Sequence, residues 1–190
     1  MKTKILNQTP YLLVYSRLLI AIYFIFVAAF KQLQDPLTIS LLLIFAVLSD
    51  VFDGIIARKL KIDSVHLRQL DSKVDTIFWI TLLYVLLVVE NSFIKAHAIE
   101  LFILLASEVF LQVFGYLKFN SALALHTYAA KAWAVLLTLS VLQLLLGKNA
   151  EIIFHTMFVW GLIAQLEVAL IIFKMKTFNV DVSSIFKLKK

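Results

Sequence analysis

The chain contains no cysteine, and its 190 residues include only two prolines and four glycines. The lack of cysteine excludes a disulfide scaffold, although it says little about compartment in a chain that needs no disulfide. Scarce glycine and proline exclude collagen-like repeats and Pro/Gly-rich disorder. Charge is also thin, at 16% of residues against about 25% in a typical soluble domain. What fills the space is apolar: 62% of the chain, with a mean hydropathy of +0.95. A soluble surface cannot absorb that surplus, so the second solvent is lipid. Met1 to Thr9 are polar, and no small-residue cleavage pattern follows the first apolar stretch, so no removable signal peptide is expected.

Apolar stretches run over Leu12–Phe30, Leu37–Phe52, Thr76–Val89, Leu101–Leu117, Ala132–Leu146 and Ile152–Phe173. The expected fold is therefore all-α, a single polytopic membrane domain over residues 1–190 with six transmembrane helices. Soluble linkers and internal repeats of 20–50 residues are absent from the sequence. Polar pieces lie at Lys31–Pro36, Asp53–Asp75, Glu90–Glu100 and Lys118–Lys131, with a tight turn at Gly147-Lys148-Asn149. With the N-terminus inside, Lys2, Lys4, Arg58, Lys59, Lys61, Arg68, Lys73, Lys118, Lys174, Lys176, Lys187, Lys189 and Lys190 face the cytoplasm. Only Lys31, Lys95 and Lys148 fall on the other side. By the positive-inside rule both termini are cytoplasmic.

Two spans are short. Leu37–Leu48 rises only about 18 Å and Thr76–Val89 about 21 Å at ~1.5 Å per residue, against a hydrocarbon core of roughly 30 Å. To cross, these helices must take in their flanking residues, Asp50 and Asp53 on one and Asp71 and Asp75 on the other. An ionised Asp costs about 2.5–3.5 kcal/mol at the centre of a span and less toward its ends. Spacings of three and four put each pair on one helix face. The two helices are expected to be antiparallel neighbours, so that the pairs face each other. Four converging carboxylates suit hard divalent cations, Mg²⁺ or Mn²⁺, and two such ions can clamp the attacking and leaving oxygens of a phosphoryl transfer. Gly54 and Ala57 are small enough to let a nucleotide approach the backbone.

The segment Asp50-x2-Asp53-Gly54-x2-Ala57-Arg58-x8-Leu67-x3-Asp71-x3-Asp75 resembles the signature of the CDP-alcohol phosphatidyltransferases. It departs at Leu67, where that family usually carries a second glycine. Pro10 and Arg17 resemble the family's Pro-to-Arg element opening the first helix, and Lys131 stands near the start of the fifth span. The resemblance implies an integral membrane enzyme of phospholipid biosynthesis. A small polar alcohol attacks the lipid-side phosphorus of CDP-diacylglycerol or a similar CDP-alcohol, and CMP leaves. It implies Asp50, Asp53 and Asp71 as ligands of two metal ions. Asp75 would be the catalytic base, also within reach of metal, and Gly54, Ala57 and Arg58 the nucleotide-binding turn. Leu67 implies either a shifted loop or an inactive member acting as a membrane partner.

Arg17 and Lys131 are candidates to hold phosphate, which favours glycerol 3-phosphate as acceptor; the alternative for both is snorkelling to headgroups. Glu108, Gln112 and Glu167 lie within spans, where lipid exposure is disfavoured. His66, His97, His126 and His155 share no helical face, which speaks against a histidine metal site. A cation or solute transporter is the competing class, but transporter sites sit near the midplane on helices broken in repeated halves. The expected location is the bacterial inner membrane with the active site facing the cytoplasm. No nucleic-acid partner is expected, and the family resemblance allows a homodimer.

Overall fold

The computed structural model describes residues 2–30, 35–60, 62, 64–121, 123, 125, 127–175 and 182–187. Lys31, Lys61, Lys176, Lys189, Lys190 and His126 lie outside the described residues. The described chain is all-helical, and six of its helices are long and apolar enough to cross a membrane. Their outer faces carry large apolar side chains such as Leu19, Phe26, Phe102, Leu117 and Ile152, each more than half exposed. Large apolar side chains exposed along spanning helices are what lipid, not water, covers. The six spans make the chain an integral membrane protein. Two compact units divide it, Met1–Ile94 and Lys95–Lys190.

The first unit holds α1 (Lys2–Ala29), α2 (Pro36–Lys59) and α3 (Val65–Val89), with the short α4 (Asn91–Ala96) at its end. Pro36 opens α2 as its first helical residue, where a missing N–H costs nothing. Ser64 caps α3, its hydroxyl accepting from the Leu67 N–H at 3.2 Å. α1 starts ten residues before the apolar run, and Pro10 lies inside it rather than at its opening. Proline there removes only one intrahelical donor, which a membrane helix tolerates. Glu90–Glu100 is likewise not a plain loop, since α4 occupies most of it.

α1 packs against both α2 and α3, which meet each other little; α1 is the centre of this unit. Its buried stripe is Val14, Arg17, Ala21, Phe24 and Ala28, at the three-and-four spacing of one helix face. The matching stripes are Ile39, Leu43, Ala46, Asp53 and Ala57 on α2, and Leu67, Val74, Phe78, Leu82 and Val85 on α3. Alanines at these positions let backbones approach, the usual basis of helix association in lipid. Phe24 meets Phe78 with ring centroids 6.0 Å apart. Arg17 and Asp53 are the charged members of otherwise apolar or small-residue stripes.

In the second unit α7 (Glu151–Lys174) packs against α5 (Ala98–Phe119) and α6 (Tyr128–Leu145). A β-carbon on Gly161 of α7 would fall 2.7 Å from the Trp133 indole nitrogen and 2.9 Å from Leu104, so only glycine fits that crossing. The expected turn after α6 is present, with Gly147 at φ +64°, a left-handed conformation that glycine adopts freely. Polar groups inside the spans are paired: Gln165 donates to the Leu104 carbonyl at 3.0 Å and accepts from Ser107. Gln112 donates to Glu108 at 3.0 Å. Glu167 accepts from the Ser184 hydroxyl and the Ile185 N–H, tying the 182–187 segment back onto α7. The Lys118 ammonium donates to the Ile172 and Phe173 carbonyls at the end of α7.

Candidate active site

The helix extensions expected from the short spans are present: α2 runs through Asp50 and Asp53 to Lys59, and α3 has begun six residues before Asp71. Both aspartate pairs therefore project from helices at the end of the unit where residues 60–64 connect them. They meet across α1. The Arg17 guanidinium donates to all four, through Nη1 to Asp50 at 2.9 Å and to Asp75, and through Nη2 to Asp53 at 2.5 Å and to Asp71. Direct packing of α2 on α3 was the sequence expectation; α1 supplies the contact instead because its arginine is the cation both pairs need.

Exposure grades across the cluster. The Arg17 side chain is 1% exposed, Asp53 6%, Asp71 15%, Asp75 31% and Asp50 43%. One wall is sealed in the helix core and the other is open, which gives a ligand a side from which to enter. Four carboxylates around one guanidinium also leave the cluster rich in acceptor oxygens. A buried charge is retained only when paired, and this pairing is lopsided toward negative charge. Arg17 Nε is buried with no hydrogen-bond partner, so the arginine satisfies the carboxylates better than they satisfy it.

The donor set fits a hard cation. Asp50, Asp53 and Asp71 each offer an oxygen, and these lie within 4.8 Å of one another. Oxygens sharing one Mg²⁺ at ~2.0–2.1 Å sit about 2.9–4.2 Å apart, so little movement would bring the three onto an ion. Asp75 is not part of that triplet. All three members already accept from the Arg17 guanidinium.

Of the other expected site residues, Gly54 and Arg58 lie one turn apart on α2. Outside its own helix backbone, the nearest atoms to a β-carbon built on Gly54 are those of the Arg58 guanidinium, at 3.7 Å. The Arg58 cation thus borders the space above the glycine. Ala57 points elsewhere: it is buried with Val14, Leu67 and Val74, beside Tyr11, Leu18, Ile62 and Leu70. Leu67 belongs to that same core cluster. Its branched side chain fills the junction of the three helices and does not stand in the space above Gly54.

Arg17, read from sequence as a phosphate ligand, has both terminal nitrogens on carboxylates. Lys131 belongs to the second unit, exposed on the first turn of α6 with its ammonium 5.9 Å from the Tyr128 ring centroid.

Six spans with a four-carboxylate cluster at a helix end define a polytopic membrane protein with the donor set of a metal-dependent phosphotransferase. The family model for CDP-alcohol phosphatidyltransferase matches residues 7–176, and the chain belongs to that family. No curated protein and no solved structure matches it. It is thus an enzyme that transfers a phosphatidyl group from a CDP-alcohol, in a family that uses a divalent metal.

Proposed function

We infer that the donor is CDP-diacylglycerol, that the acceptor is a small polar alcohol, and that the reaction releases CMP on the cytoplasmic side of a bacterial inner membrane. The observation that carries this reading is the gathering of Asp50, Asp53, Asp71 and Asp75 from two helices around a single buried arginine. Asp50, Asp53 and Asp71 would hold two Mg²⁺ or Mn²⁺ ions, with Asp75 within reach. Ions held there would supply charge neutralisation at the diphosphate and polarise its phosphorus toward attack.

The residues of the chain do the rest. Arg58, above the Gly54 backbone, takes the nucleotide phosphate, and the missing side chain at Gly54 lets the nucleotide lie close. Asp75, on the open side of the cluster, accepts the proton of the acceptor hydroxyl. The hydroxyl oxygen bonds to the lipid-side phosphorus, the bond from that phosphorus to the bridging oxygen breaks, and CMP departs with the electron pair. Ala57 acts behind this turn, as a core residue that sets the distance between α1 and α2.

Glycerol 3-phosphate is the favoured acceptor, and its support is now narrower. Both terminal nitrogens of Arg17 are engaged by carboxylates, so this acceptor rests on the basic character of the chain and not on that arginine. The test is the lipid formed when purified protein is given CDP-diacylglycerol with glycerol 3-phosphate, an inositol phosphate, serine or another small alcohol. Mass spectrometry should find phosphatidylglycerol phosphate in the first mixture. A lipid formed only with an unphosphorylated alcohol would overturn that acceptor and leave the transfer reaction standing.

A further inference from the structure

His97 and His155 lie 58 positions apart, and sequence reading treats them as unrelated. The fold brings them together at one carboxylate. Glu151 and His155 are one turn apart on the first two turns of α7, and His97 is the residue that opens α5. The Glu151 Oε2 oxygen lies 3.0 Å from His97 Nε2 and 3.6 Å from His155 Nε2. The two imidazole centroids are 5.5 Å apart. All three side chains belong to the second unit, and none belongs to the aspartate cluster.

The local chemistry is not that of ordinary helix capping. His97 occupies the N-cap position of α5 but makes no side-chain cap hydrogen bond; its ring reaches to Glu151 on another helix. That ring is buried and held against Phe154, with centroids 4.4 Å apart. The imidazole is thus oriented before any ligand arrives. Glu151 and His155 are both half exposed, so the group opens to its surroundings on one side.

The spacing has a natural occupant. Ligands of a tetrahedral ion at ~2.0–2.1 Å are about 3.3 Å apart, and the two measured separations, 3.0 and 3.6 Å, bracket that value. Each possible ligand atom lies within 4.8 Å of the other two. Two imidazoles and one carboxylate form a recurrent zinc donor set that leaves a fourth position for water. Two nitrogens of three also disfavour Mg²⁺ and Ca²⁺, which prefer oxygen. We propose that His97, Glu151 and His155 form a second metal site, selective for Zn²⁺-type ions, that staples the start of α5 to the first two turns of α7. Binding would displace any proton carried on the ligating imidazole nitrogens.

The test uses Co²⁺ as a spectroscopic probe on the full-length protein in detergent, with a large excess of Mg²⁺ to occupy the aspartate cluster. One equivalent of Co²⁺ should bind and give the intense visible bands of tetrahedral cobalt; Zn²⁺ should displace it. His155→Ala and Glu151→Gln alter half-exposed side chains, and their metal-free melting should match that of the wild type. Each should weaken Co²⁺ binding at least about tenfold, since losing a direct ligand costs no less than losing a residue behind one. Absence of tetrahedral uptake under excess Mg²⁺, or uptake unchanged in both variants, would overturn the proposal. The triad would then be a hydrogen-bonded contact only.

Discussion

Asp75→Asn should lose about 10²–10⁴-fold in turnover, the contribution of a positioned general base. An alcohol hydroxyl is a weak nucleophile at neutral pH, and the open side of the cluster is where an acceptor can reach a carboxylate. Asp75 is there, at 31% exposure, and it stands outside the triplet of close ligand oxygens. Asparagine keeps the size and still hydrogen-bonds, but it cannot take a proton. The loss should therefore fall on kcat, with the KM for CDP-diacylglycerol little changed. Steady-state CMP release at varied donor concentration separates the two constants. Turnover within threefold of wild type would return the base to water or to another side chain. A raised KM with normal kcat would make Asp75 a binding residue.

Arg17→Met should produce the largest loss of stability of any single change in the first unit. The side chain is 1% exposed and its guanidinium contacts four carboxylates. Removing one partner of a buried ion pair typically costs about 3–5 kcal/mol, because the other charge stays behind unpaired. Here the buried Asp53 and the part-buried Asp71 are left behind, so the cost should sit at the upper end of that range. A methionine fills similar space in the α1 stripe, which separates loss of charge from loss of packing. Thermal unfolding in detergent should show a clearly lower midpoint for the variant without metal. Adding Mg²⁺ should recover more stability in the variant than in the wild type, since a cation can stand among the same oxygens. An unchanged midpoint in metal-free buffer would mean that the arginine is dispensable to the cluster.

The six spans and the aspartate end of α2 and α3 were legible because they rest on arithmetic. Apolar length counts crossings, and two spans too short for the bilayer had to borrow Asp50, Asp53, Asp71 and Asp75. Which helix joined the pairs was not legible. α1 is apolar on every side, so nothing in its pattern marked the face shared by Val14, Arg17, Ala21, Phe24 and Ala28. Burial supplies that face, and it sets Arg17 among the four carboxylates. The same blindness applied to Ala57 and Leu67. A motif gives spacing but not direction, and both side chains are buried in the core where α1, α2 and α3 meet. His97 and His155 were unreadable for a different reason, since their proximity depends on how α5 and α7 pack and on no local repeat.

The central claim is that a carboxylate-held divalent metal in this chain drives phosphatidyl transfer from a CDP-lipid. The most direct measurement is CMP release from CDP-diacylglycerol by the purified protein, with its preferred acceptor, first with Mg²⁺ or Mn²⁺ and then with excess EDTA. The account predicts release that depends on the metal, stops with chelator, returns when the metal is restored, and is absent in Asp53→Ala under every condition. CMP release at an undiminished rate in EDTA, or in Asp53→Ala, would contradict it.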